Sequence, residues 1–239
     1  MRRFVLGFAA LVAMSAPALA TDIGVSMAKF DDNFLTVLRN GMQDYAASKD
    51  GVNLQVEDAQ NDVSKQLSQI QNFIAQGVDA IIVNPVDTDA TPAMTKLAVA
   101  ANVPLVYVNR MPSDNPLPAK VSFVGSNEVD SGTLEMQEVC KLMGGKGNIL
   151  VMMGDLANQA ARQRTQDIED VIKTPECSGI KILDKRTAKW QRTEGNDLMT
   201  NWISAGLKFD AVVSNNDEMA LGAIQALKAS KMLDKTIVA

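Results

Sequence analysis

One βα pattern runs twice through this chain, and that repetition restricts its possible folds more than any other feature. In the first half, apolar runs at 23–27, 52–56, 78–83 and 103–108 alternate with segments of helical character. Runs at 148–153, 180–183, 209–213 and 236–238 do the same in the second half. The stretch Val78-Asp79-Ala80-Ile81-Ile82-Val83-Asn84 is echoed by Phe209-Asp210-Ala211-Val212-Val213-Ser214-Asn215. Strands this rich in Val and Ile, with little polar alternation, are covered on both faces and therefore parallel. The segments between them carry apolar residues at three- and four-residue steps, as in Phe34, Val37, Leu38, Met42 and Tyr45, and in Leu67, Ile70, Phe73 and Ile74. Alternating units of this kind build doubly wound sheets. The fold class predicted is α/β, two similar doubly wound parallel-sheet lobes with a ligand cleft between them, over residues 21–125 and 126–239. A chain of 239 residues accommodates two such domains.

Residues 1–20 read as a cleavable signal peptide. Arg2 and Arg3 supply the positive start, 4–14 the apolar stretch, and Ala18-Leu19-Ala20 the small-residue cleavage site. The apolar stretch is far short of the roughly 20 residues that a bilayer core requires. Export to the periplasm follows, and residue 21 is Thr, not the Cys used for lipid attachment. The net charge of −5, more negative still without Arg2 and Arg3, makes nucleic acid and anionic membranes poor partners. Cys140 and Cys177 are compatible with a disulfide or with two buried thiols. The chain has no histidine, so Ser-His-Asp and Cys-His catalysis are absent, as is the commonest metal ligand. Neither a cofactor nor a metal is expected. Gly144-Gly145-Lys146-Gly147 precedes a strand and is a turn, not a phosphate loop. The proline-rich stretch 111–118 is a loop, 121–124 a fifth strand, and 125–127 the crossover before a helix at 131–143.

Ligands of open α/β sheets bind beyond the carboxyl ends of the strands. There the sequence places Asp31, Asp32, Asn33 and Phe34, then Asn109 and Arg110, then the stretch 155–164, then Trp190 and Arg192, then Asn215, Asn216 and Asp217. Carboxylates, amides and guanidiniums suit the hydroxyls of a neutral polyol, each of which donates and accepts. Phe34 and Trp190 offer flat apolar surface for the C–H faces of its ring, from opposite lobes. Other roles compete: one of Asp31 and Asp32 serves as a helix N-cap, Asp217 reads as a cap for the helix that follows, Trp190 also fits a core, and one of Arg162 and Arg164 belongs to the solvated surface.

At these positions the chain resembles the periplasmic sugar-binding proteins of ABC transporters, of the ribose-binding type with its inositol-binding relatives. The resemblance covers 21–239 and is carried by Asn216-Asp217-Glu218-Met219-Ala220-Leu221-Gly222-Ala223, by Asn109-Arg110 and by Ala161-Arg162-Gln163-Arg164. It implies sugar contacts from Asp32, Phe34, Asn109, Arg110, Arg164, Trp190 and Asn216. It further implies a non-enzymatic monomer that delivers a sugar or polyol to an inner-membrane permease. A periplasmic sensor for a chemoreceptor or kinase is the competing reading. Asn33, Leu35 and Asn109 depart from the ribose pattern, and the text from 30 to 91 is nearest the inositol branch, which favours myo-inositol over ribose or other sugars. By the internal repeat, the second lobe stops before its counterparts of Asn109 and Arg110. The expectation is a C-terminally incomplete lobe whose affinity is weak or absent, with a non-functional fragment of such a receptor as the alternative.

Overall fold

A computed structural model describes residues 20–239; the signal peptide predicted at 1–20 falls almost wholly outside them. Among the described residues, two all-parallel sheets follow one another along the chain. The first comprises β1 (Thr21–Met27), β2 (Val52–Asp58), β3 (Ala80–Val83), β4 (Leu105–Val108) and β5 (Val121–Val124), in the order β2-β1-β3-β4-β5. The second comprises β6 (Lys146–Met153), β7 (Gly179–Thr187), β8 (Ala211–Ser214) and β9 (Ile237–Val238), in the order β7-β6-β8-β9. The repeat read from the sequence reappears in the register, since Ile23 faces Ala80 as Ile149 faces Ala211. The helices α1 (Asn33–Ala47), α2 (Val63–Gln76) and α3 (Thr91–Ala100) connect the first set of strands. The second set carries α4 (Glu128–Met143), α5 (Gln159–Val171), α6 (Arg192–Ser204) and α7 (Asp217–Ala229).

Each sheet is packed on both faces, so four apolar clusters form. Val25, Met27 and Leu35 belong to one, and Ile70, Phe73, Ile81 and Tyr107 to its partner across the first sheet. In the second lobe Met136, Ile149, Val151 and Ile168 lie on one side, with Leu150, Met199, Trp202 and Val212 on the other. Successive residues of β6 alternate between these two clusters, which is the period-two geometry of a strand covered on both faces. A side chain of about Leu or Ile size contributes roughly 2 kcal/mol on such burial.

The boundaries differ from the sequence reading in instructive places. Helix α4 starts at Glu128, three residues before the expected 131, because the Asn127 side chain accepts from the Val129 N–H and caps it there. β7 extends to Thr187 instead of ending at 183; it is an edge strand with alternate residues exposed, so Lys181, Lys185 and Arg186 break the apolar run without breaking the strand. Gly144 and Gly145 form the expected turn, both with positive φ. Cys140 and Cys177 are joined in a disulfide with Cα atoms 5.8 Å apart. No helix among the described residues is long and apolar enough to cross a membrane.

Candidate functional site

The carboxyl ends of β1 and β4 set the first wall. Asp32 has extended backbone and accepts from the Leu35 N–H at 3.0 Å, which starts α1. Leu35 is buried, so its neighbour Phe34 is turned outward and is 59% exposed, an uncommon position for a large aromatic. After β4, Asn109 adopts φ 65° and its N–H donates to Val124 O on β5. Its side-chain oxygen accepts from Asn84 Nδ2 at 3.2 Å. Arg110 is buried, and its Nη1 donates to Pro85 O at 2.7 Å. Burial pushes its guanidinium down to about 10, against the opposing pull of Asp32 and Asp155. It therefore stays charged at neutral pH and brings a fork of donors to the floor of the cleft.

The second wall comes from the ends of β6, β7 and β8. Arg164 on α5 is held at two points: Nε donates to Glu128 at 2.6 Å and Nη1 to Asn215 O at 2.5 Å. Glu128 is buried and its other oxygen accepts from Ser126, so the arginine is tied to the crossover between the lobes. Trp190 follows β7 with φ 66°, and its Nε1 donates to Asn158 Oδ1 at 2.9 Å. Gly154 lies against the indole ring so closely that a Cβ there would overlap it. Asn216 caps α7 by accepting from the Met219 N–H at 3.1 Å. The cap of α7 is thus Asn216 and not Asp217, a correction to the sequence reading. Asp217 occupies the first turn, where a carboxylate is favoured by the helix dipole.

These walls enclose a cavity of about 420 Å³ between the lobes, lined by Asp32, Phe34, Asn109, Arg110, Arg164, Trp190 and Asn216. All seven candidate residues therefore meet in one place. Trp190 also packs against the apolar cluster behind it, so the core and cleft roles weighed from the sequence are combined in one residue. Asn158, Asp217 and Glu218 line the cavity too, although the sequence alone did not single them out as contacts. Asn158 lies in the polar stretch 155–164, but nothing there set it apart from its neighbours. Arg162 is the exposed one of the pair Arg162 and Arg164, as the sequence reading expected, and on the surface its Nη2 donates to Asp89 of the first lobe at 2.9 Å. No cluster of His, Cys, Asp and Glu suited to a metal is present among the described residues.

Half-buried Glu135 on α4 lies near this second wall. Burial raises its carboxyl to about 7, Asp217 adds to the shift, and Arg164 opposes it. Between about pH 4.5 and 7 the folded chain holds a proton there that the unfolded chain has lost, so stability falls as pH rises through that window. Glu135→Gln should accordingly be more stable than the parent at pH 8, with the difference vanishing near pH 4.5. Urea midpoints at several pH values check this; a difference independent of pH would refute it.

Such a cleft between paired doubly wound lobes has counterparts of known family. The sequence pattern of the periplasmic binding protein domain matches residues 23–239. The chain belongs to the periplasmic binding protein family. Members of this family are substrate-binding proteins and not enzymes, in agreement with the lack of histidine chemistry. A Rhizobium meliloti protein named "Putative rhizopine-binding protein" is 63% identical over 240 residues, covering 100% of this chain and 78% of that protein. A xylitol-binding protein of Mycolicibacterium smegmatis is 40% identical over 198 residues, covering 82% of this chain and 55% of that protein. Among solved structures, an ABC transporter solute-binding protein from Bacillus halodurans with bound myo-inositol superposes with a TM-score of 0.86 at 42% identity, over 92% of this chain and 75% of that one.

Proposed function

We propose that this periplasmic binding protein captures a neutral cyclic polyol or monosaccharide between lobes 21–125 and 126–239, with myo-inositol preferred to ribose or another sugar. It delivers that ligand, as an exported monomer, to an ABC permease in the inner membrane. The observation that carries this reading is the convergence of Asp32, Phe34, Asn109, Arg110, Arg164, Trp190 and Asn216 on one cavity. In that cavity carboxylate and amide oxygens accept from hydroxyls, Arg110 and Arg164 donate to them, and Phe34 and Trp190 flank the ring. The similarity to a myo-inositol-bound structure and to a xylitol-binding protein supports a polyol.

Ligand held by both walls stabilises the closed arrangement by its differential affinity, and closure is the signal that a permease reads. Isothermal titration of the chain from Thr21 with myo-inositol, ribose and galactose tests the assignment. Saturable binding of myo-inositol in the micromolar range, about −8 kcal/mol, with weaker binding of the other two, is expected. Tighter binding of ribose or galactose would overturn the choice of ligand, and no binding of any would overturn the polyol reading.

A further inference from the structure

A short 3₁₀ turn, Thr88–Ala90, follows β3 in the first lobe and meets the start of α5 in the second. Thr88 is fully buried at this seam. Its N–H donates to Ala157 O at 3.0 Å, and its Oγ1 donates to the same carbonyl at 3.1 Å. Oγ1 also accepts from the Gln159 N–H at 3.1 Å and from Arg162 Nη2 at 3.3 Å. A hydroxyl offers one donor and two acceptor positions, so the other lobe takes all that Thr88 has. The Gln159 amide is the first helical N–H of α5, which has no partner within the helix and which a side chain at the N-cap position does not serve. It needs an acceptor from outside the helix: Thr88 while the lobes are together, water once they part. None of Thr88, Ala157, Gln159 and Arg162 lines the cavity, and none of these bonds involves the crossover at 125–127.

We propose that Thr88 is an affinity-determining residue that touches no ligand: it clasps the two lobes together independently of what the cleft holds. A ligand gripped by both walls binds the closed arrangement, so its affinity combines the contacts in the cavity with the free energy of bringing the lobes together. A bond that forms only on closure favours that arrangement and tightens every ligand by one factor. The Arg162–Asp89 pair adds to the same seam, but with side chains 40% and 65% exposed it is the weaker part. The buried Thr88 hydroxyl is the stronger part, since deleting it strands the Gln159 N–H away from water in the closed state alone. This deepens the polyol-binding reading; it rests on that reading for the affinity measurement below, and not for the ligand-free one.

The test compares Thr88→Val, which removes the hydroxyl and keeps the shape, with Thr88→Ser, which keeps the hydroxyl. In titration calorimetry Thr88→Val should bind myo-inositol about tenfold more weakly than the parent. The same factor should apply to ribose or galactose where these bind, and Thr88→Ser should recover most of the loss. Stopped-flow fluorescence should place the loss in faster dissociation, while the ligand-free melting temperature stays within a few degrees of the parent. Unchanged affinity in Thr88→Val, a factor that differs among ligands, or failure of serine to recover the loss overturns the proposal. Amide hydrogen exchange in the ligand-free proteins tests the clasp without a ligand. The Gln159 amide should exchange several-fold faster in Thr88→Val than in the parent, with Thr88→Ser close to the parent. Equal exchange in all three overturns the proposal. Failure of the parent to bind myo-inositol, ribose or galactose with this exchange order intact would instead count against the polyol reading alone.

Discussion

Arg110→Met is expected to lower the affinity for myo-inositol at least a hundredfold while leaving the ligand-free melting temperature within a few degrees of the parent. Methionine keeps most of the length and apolar bulk of the arginine and removes the charged donor fork. The guanidinium is buried, and only its Nη1 bonds to protein acceptors, Pro85 O at 2.7 Å and Val86 O at 3.5 Å. Its other donors are therefore available to ligand hydroxyls. A hydrogen bond from a charged donor contributes about 1.5–3 kcal/mol, so losing two corresponds to a hundredfold or more. The stability terms oppose one another: a buried charge is removed, which relieves desolvation, while the carbonyl of Pro85 loses its donor. Arg110→Lys should fall between, since it retains the charge without the planar fork. Calorimetric titration beside thermal melts separates recognition from folding. Binding by Arg110→Met within threefold of the parent would show that the ligand is not held there.

The sequence made the two-lobe architecture readable because the repeat is written in buried residues, where chemistry is narrow. The echo of Asn84 in Asn215 is the clearest case. Asn84 Oδ1 accepts from the Ala28 N–H, and Asn215 Oδ1 accepts from the Gly154 N–H, so equivalent side chains do equivalent work at the ends of β3 and β8. Site residues at strand ends were legible for the same reason, since the fold itself puts them at the cleft. Less legible were roles that depend on what the other lobe supplies. An asparagine before a helix reads as a cap, and Asn216 is one, but Asn158 is not, because its Nδ2 donates to Val86 O of the other lobe while its Oδ1 accepts from Trp190 Nε1. Arg162 reads as surface and is exposed, but its pairing with Asp89 of the other lobe is not legible in the sequence. The chain's 3.6-residue periodicity carries no record of such long-range contacts.

Removing the disulfide should produce the other large effect, confined to stability. Cys140 lies on α4 and Cys177 in the turn before β7, and both belong to the buried cluster with Met136, Ile149 and Ile168. The bridge spans a sequence separation of 37, enclosing β6 and α5. Closing a loop of that length in the unfolded chain corresponds to about 3–4 kcal/mol. The double variant Cys140→Ala, Cys177→Ala should therefore melt about 10 °C or more below the parent, with the transition of the second lobe moving and that of the first nearly fixed. Calorimetry in the presence of reductant supplies the control: the parent should fall to the level of the variant, and the variant should not respond. The disulfide lies at the end of the second lobe opposite the cleft, at the amino end of β6 instead of its carboxyl end, so ligand affinity measured well below the melting temperature should be unchanged. Coincident melting of parent and variant would mean that the bridge adds nothing beyond the packing already present. A shift of the expected size would make the folded second lobe depend on an oxidising compartment, where such bridges persist, as the family's periplasmic setting provides.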